Sequence, residues 1–148
     1  MKKIAVLFIV AFSIISCKTD KSEQEFFYKA VNGEDIALLS LTIGENYFFG
    51  QYEVRYDGSS KDIGEVRGNI FGDTLKGKFR YLSYGGSDKI APFVLLKHNE
   101  ILKLGSGSIS TYMNIPFYIP ATLEFKDTDF QFRKIDRKAF EKLGSIVR

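Results

Sequence analysis

Reactive chemistry has few places to start in this chain: one cysteine, Cys17, one histidine, His98, and carboxylates spread over the rest. A hydrolase needs a nucleophile held beside a base. His98 lies in a short turn with Asn99 and Glu100, and no Gly-x-Ser-x-Gly elbow accompanies it. It reads as a solvent-facing turn residue. Zinc sites draw on several Cys and His ligands, which a single His cannot supply. Asp57 and Asp62, with Gly58-Ser59-Ser60 between them, offer oxygen ligands but lack the spacing and closing glutamate of a calcium loop. Glycosidases use two facing carboxylates, yet Glu53 and Glu65 both fall on polar, outward positions of their strands. No catalytic residue, cofactor or metal ligand is expected, and the chain reads as non-enzymatic.

Cys17 has a different chemistry. It closes the run Ile14-Ile15-Ser16-Cys17, behind Lys2, Lys3 and an apolar stretch from Ile4 to Ile15. A membrane-spanning helix needs about 20 apolar residues, more than this stretch holds, and polar residues 18–25 follow at once. The anatomy is that of a cleaved secretion signal. A cysteine directly after the cut resembles the lipobox of bacterial lipoproteins. That resemblance implies a diacylglyceryl group on the Cys17 sulfur, loss of residues 1–16, and a partner in the membrane itself. Two acyl chains hold a protein durably where one does not. Residues 17–25 then form the lipidated cysteine and its tether, and 26–148 a single domain. Lys18 stands where enterobacterial lipoproteins retained at the inner membrane carry aspartate, and Asp20, Ser22 and Glu23 resemble the export tethers of Bacteroidota surface lipoproteins. The expected location is the cell envelope, lipid-anchored at the outer membrane.

Composition narrows the partners. Once Lys2 and Lys3 leave with the signal, 19 basic residues face 18 acidic ones, so no nucleic-acid footprint remains. With no second cysteine an intrachain disulfide is excluded. The core must come from burial, for which 14 Phe and eight Tyr supply large apolar areas.

Period-two patterns broken by glycine dominate the mature chain, the mark of an antiparallel β protein. Strands are expected at Ile36–Ile43, from Phe48 to Tyr56, at Ile63–Phe71, from Leu75 to Tyr81, at Ile90–Lys97 and at Ile101–Leu104. Shorter ordered segments are expected at Thr122–Lys126 and Phe130–Lys134, then a helix carrying Ala139, Phe140 and Leu143 behind an Asp136 N-cap. Gly50, Gly68 and Gly77 fall on apolar strand faces, where glycine marks bends and barrel corners. The fold class is mainly β: a small antiparallel meander barrel or half-barrel of about eight strands with a short C-terminal helix, a flat sandwich being the alternative. The hairpin texture of residues 61–79 resembles that of Bacteroidota lipoproteins with a calycin or lipocalin-like barrel. The likeness covers residues 30–104 and implies a calycin or lipocalin-like shape. The Gly-x-Trp signature of true lipocalins is absent, because the chain has no Trp.

Two residue sets could bind something. Tyr52, Tyr56, Phe79 and Tyr81 share an apolar face with Phe48. They form either the barrel core or the wall of a cup for a small apolar or sugar-like ligand. The Lys76, Lys78 and Arg80 positions opposite are a solvated exterior. Tyr112, Ile115, Phe117 and Tyr118 lie in a greasy, proline-broken stretch that is either an exposed lip for a protein partner or a lid over a barrel end. The expected function is a membrane-anchored, non-enzymatic binding module for such a ligand or for an envelope protein. Competing classes are an envelope hydrolase, an inhibitor-like effector and an accessory subunit of an outer-membrane complex.

Overall fold

The computed structural model describes residues 23–57, 60–83 and 85–144. Cys17 and its flanks lie outside the described residues. Ten strands form: β1 (Gln24–Asn32), β2 (Asp35–Ile43), β3 (Tyr47–Arg55), β4 (Lys61–Phe71), β5 (Thr74–Leu82), β6 (Asp88–His98), β7 (Ile101–Leu104), β8 (Ile109–Tyr112), β9 (Ile115–Tyr118) and β10 (Gln131–Ile135). A seven-residue helix, α1 (Arg137–Leu143), follows. Strands β1 to β7 run as an antiparallel meander, and β10 inserts between β7 and β1 to close an eight-stranded barrel. The β8–β9 hairpin is a separate two-stranded excursion. This is the mainly-β barrel with a short C-terminal helix that the sequence pattern demands, and its closed shape is compatible with a lipocalin-like barrel.

Closure depends on glycines where strands come close. Gly68 and Gly77 stand directly opposite each other on β4 and β5. A Cβ on Gly68 would lie 2.2 Å from the Lys76 carbonyl oxygen, and one on Gly77 2.1 Å from that of Arg67. On β3, a Cβ at Gly50 would meet the Ser40 carbonyl oxygen at 1.8 Å. Only glycine allows the sheet to coil this tightly.

Alternation sorts the side chains. Ala37, Leu39 and Leu41 of β2, Phe48, Tyr52 and Val54 of β3, Val66 of β4, and Phe93 and Leu95 of β6 are buried inside the barrel. Aromatic rings run through this core: Phe48 to Phe93 at 6.5 Å, Phe93 to Tyr52 at 5.2 Å, and Tyr52 to Phe79 at 4.8 Å. A second, smaller core lies outside. There α1 lays Phe140 against Phe27 of β1 at 4.9 Å, and Asp136 caps the helix by accepting the Ala139 N–H at 2.9 Å.

Three expectations need correction. β1 was not among the expected strands, and it begins at Gln24, so Gln24 and Glu25 belong to the barrel rather than to a tether ending at 25. Thr122–Lys126 is not a strand: a 3-10 turn covers Pro120–Thr122, and only Glu124 bridges, to Ser106. Glu53 does lie on the outward face of β3, yet it is fully buried. Arg55 Nε donates to Glu53 Oε1 at 2.6 Å while its Nη2 donates to the Leu143 carbonyl at 2.6 Å. That bridge fastens the helix to β3.

Candidate functional site

The two barrel ends differ. At one end lie the β1–β2 turn, the loop between β3 and β4, the loop between β5 and β6, and the long connection from β7 to β10. Tyr56 and Tyr81 sit there. Tyr56 donates its hydroxyl to Asp62 Oδ2 at 3.0 Å, and partial burial together with that carboxylate pushes its pKa up to about 12. Tyr81 stacks on Phe79 at 4.5 Å, and desolvation raises its pKa too. Tyr52 and Phe79 are 5% and 6% exposed and packed on their neighbours, so these two fill the barrel instead of walling a cup. Burial drives the Tyr52 pKa far up, with smaller contributions from Tyr56 and Tyr118. Tyr118 is thus near this end, half-buried, its own pKa raised by desolvation and by Asp129. The end is closed.

At the other end the core stops short. A recess of about 920 Å³ opens where β1 begins, rimmed by the turns at Gly44-Glu45, Gly72-Asp73 and Asn99-Glu100. Its apolar wall is made by Phe26, Tyr28, Ile43, Ile70, Leu75 and Leu102. These are inward strand positions, in register with the packed layer of Leu41, Phe48, Leu95 and Phe132 below. Burial raises the Tyr28 pKa, so its hydroxyl stays a donor through the neutral range. Three inward positions depart from the apolar pattern: Gln24 at the start of β1, and two lysines. Lys97 follows Phe93 and Leu95 on β6 and faces Leu102 across the ladder. Lys134 follows Phe132 on β10, faces Tyr28, and holds its ammonium 4.3 Å from the centre of the Phe26 ring. Neither ammonium makes an ion pair with a described residue. Arg133 also reaches the rim, and Glu45, Asp73 and Glu100 lie in its turns.

Sequence reasoning missed this recess. The residues of β1 that line it were not read as a strand, and Lys97 and Lys134 figured only as the last residues of expected ordered segments. The signal was available: each lysine lies two residues beyond a buried inward aromatic or leucine on a regular strand.

The hairpin β8–β9 divides its residues by face. Tyr112 and Ile115 pair with each other, and Phe117 pairs with Ser110, so Tyr112, Ile115 and Phe117 share one side. They are 71%, 41% and 37% exposed. Tyr118 points from the opposite side, so it does not join the other three in a lip. At the tip Met113 and Asn114 both adopt positive φ, 50° and 62°, and Met113 is 78% exposed. On the outer barrel wall, Lys76, Lys78 and Arg80 are exposed as expected, beside Arg67 and the stacked rings of Tyr47 and Phe49.

His98 is exposed at the end of β6, and its neighbour Asn99 takes φ 55° in the turn. Comparison with family models, curated proteins and solved structures finds no match.

Proposed function

We propose that this protein is a non-enzymatic binding module of the cell envelope, anchored through a lipid on Cys17, whose open barrel end takes a small ligand with an apolar body. One observation carries the reading. Among the described residues a recess opens at the end where β1 begins, and Phe26, Tyr28, Ile43 and Ile70 give it an apolar wall beside the charged Lys97, Arg133 and Lys134. Ligand sites in small barrels occupy such mouths, with a few polar groups fixing orientation. The recess is a shallow cup, since Leu41, Phe48, Leu95 and Phe132 beneath it are fully buried.

The anchor and the cup support one another. Gln24 lines the rim, so the chain enters the barrel at the mouth. Glu23 lies six positions after Cys17, with five residues between them, and an extended chain covers about 3.3–3.6 Å per residue. Acyl groups on Cys17 would therefore hold the rim within roughly 20 Å of the lipid surface. A cup so placed faces the bilayer and meets molecules that leave it. The Bacteroidota-type lipoprotein resemblance fits the same arrangement.

A second reading has its own observation. The exposed face of Tyr112, Ile115 and Phe117 is apolar and lies away from the cup, which suits a protein partner in the envelope.

A fluorescence titration separates the two. N-phenyl-1-naphthylamine, a neutral apolar dye, is added to the full chain carrying Cys17→Ser, which has no acyl acceptor. Saturable binding is expected, weakened about tenfold or more, that is by about 1.4 kcal/mol, when Ile70→Trp fills the cup. Tyr112→Ser with Phe117→Ser should leave it unchanged. The reverse pattern would move the binding site to the hairpin.

A further inference from the structure

Resting on the cup reading, we infer that the cup selects amphiphiles with an anionic head, such as a carboxylate on an alkyl chain, and that Lys97 and Lys134 receive that head. Every other inward position of their strands from mouth to core carries an apolar group, Phe93 and Leu95 on β6 and Phe132 on β10. An ammonium placed in that series would lose its hydration if the mouth were covered by protein. It is tolerated where water or an opposite charge can reach it. The Lys134 ammonium is held over the Phe26 ring, at the wall of the mouth, and such cation–π contact fixes its position. The Lys97 backbone N–H donates to the Asp73 carbonyl at 2.8 Å, which holds this end of β6 at the mouth. Both ammonium groups lack an ion-pair partner among the described residues and stand above an apolar floor. A bound anion would supply the missing charge, and its alkyl chain would lie on Ile43, Ile70 and Leu75.

The acids of the mouth bear on this directly. Glu45, Asp73 and Glu100 sit in turns at the rim, whereas the two lysines occupy inward strand positions. The two lysines thus stand on the wall of the mouth, while the rim carries those three acids beside the outward Arg133. An alkyl cation would be drawn to the rim and gain nothing from the floor. A short anion without a tail would meet the lysines only as exposed charges, where screening by salt leaves little affinity.

Displacement of N-phenyl-1-naphthylamine from the full chain carrying Cys17→Ser tests this with four probes: dodecanoate, dodecanol, dodecyltrimethylammonium and acetate. Dodecanoate is expected to displace the dye at about tenfold lower concentration than dodecanol, a difference of about 1.4 kcal/mol. Dodecyltrimethylammonium should be weaker than both, and acetate should not displace it. Lys97→Gln with Lys134→Gln should bring dodecanoate and dodecanol together while the dye still binds. Near-UV circular dichroism identical to the parent would show that this variant keeps its core. Equal displacement by dodecanoate and dodecanol in the parent overturns the anion selectivity and leaves the cup standing. Displacement by acetate also overturns it, because the tail would then be irrelevant. Failure of the dye to bind at all overturns the cup reading and this inference together.

Discussion

Tyrosine hydroxyls carry a measurable consequence of the packing. Tyr28, Tyr52, Tyr56, Tyr81 and Tyr118 all have raised pKa values, chiefly through burial. The folded state keeps these protons when the unfolded chain has already lost them. For Tyr56 that window runs from its ordinary value of 10.0 to about 12. Its contribution is complete below the lower bound and is lost as pH rises toward the upper one. Unfolding free energy should therefore fall across this window, with tyrosinate absorbance appearing together with loss of near-UV circular dichroism. Stability unchanged across the window would contradict the burial. Arg55→Met is a sharper change, because the Glu53 carboxylate beneath it is fully buried. Removing one partner of a buried pair is strongly destabilising, and with Arg55 itself partly exposed a loss of about 2–4 kcal/mol in urea unfolding is expected. At this scale the sequence was legible in part. Alternation assigned Glu53 to the outer face correctly, but alternation says nothing about what covers a face, and Arg55, which pairs with Glu53, is tied to Leu143 from the far end of the chain.

Strands and hairpins were easier to read where one face is core and the other is water. β2 to β7 were found, β5 by its alternation and β2 and β6 as apolar runs with consecutive buried residues, with Gly50, Gly68 and Gly77 marking the tight approaches. A Cβ at position 77 has no room between two backbones. Gly77→Ala should cost about 1–3 kcal/mol, the usual range for overpacking, measured by the urea midpoint at unchanged slope. β1 escaped notice because its outer Phe27 is covered by Phe140, which spoils the polar side of its alternation. The Asn32-Gly33 dipeptide between two apolar runs is a hairpin signal that could have revealed it. In the β8–β9 hairpin the question of lip or lid has a divided answer, one residue at a time. Phe117→Ala should leave the melting temperature within about a degree, the scale of an ordinary surface change. Tyr118→Ala should lower it by several degrees, as about 1–2 kcal/mol of packing does in a domain of this size. If Phe117→Ala proved the more damaging, the facing of the hairpin would be wrong.

Seen whole, the described residues form a closed barrel with a packed interior and a recess at the end where β1 begins. Closure by β10 brings together residues more than a hundred positions apart, such as Phe27 and Ile135. A period-two pattern suggests curling, but it does not say which strand seals the gap. The cup follows from that closure and was not visible before it. If Cys17 carries the anchor, Cys17→Ser should move the protein from the membrane pellet to the soluble fraction with its β circular dichroism intact. Retention in the pellet would remove the anchor from the account. The most direct test of the central claim is an amide chemical-shift map of the Cys17→Ser chain titrated with dodecanoate. Shifts clustered at Phe26, Tyr28, Ile43, Ile70 and Leu102 are the predicted result; shifts confined to the Tyr56–Tyr81 end or to the β8–β9 hairpin, or none at all, would contradict it.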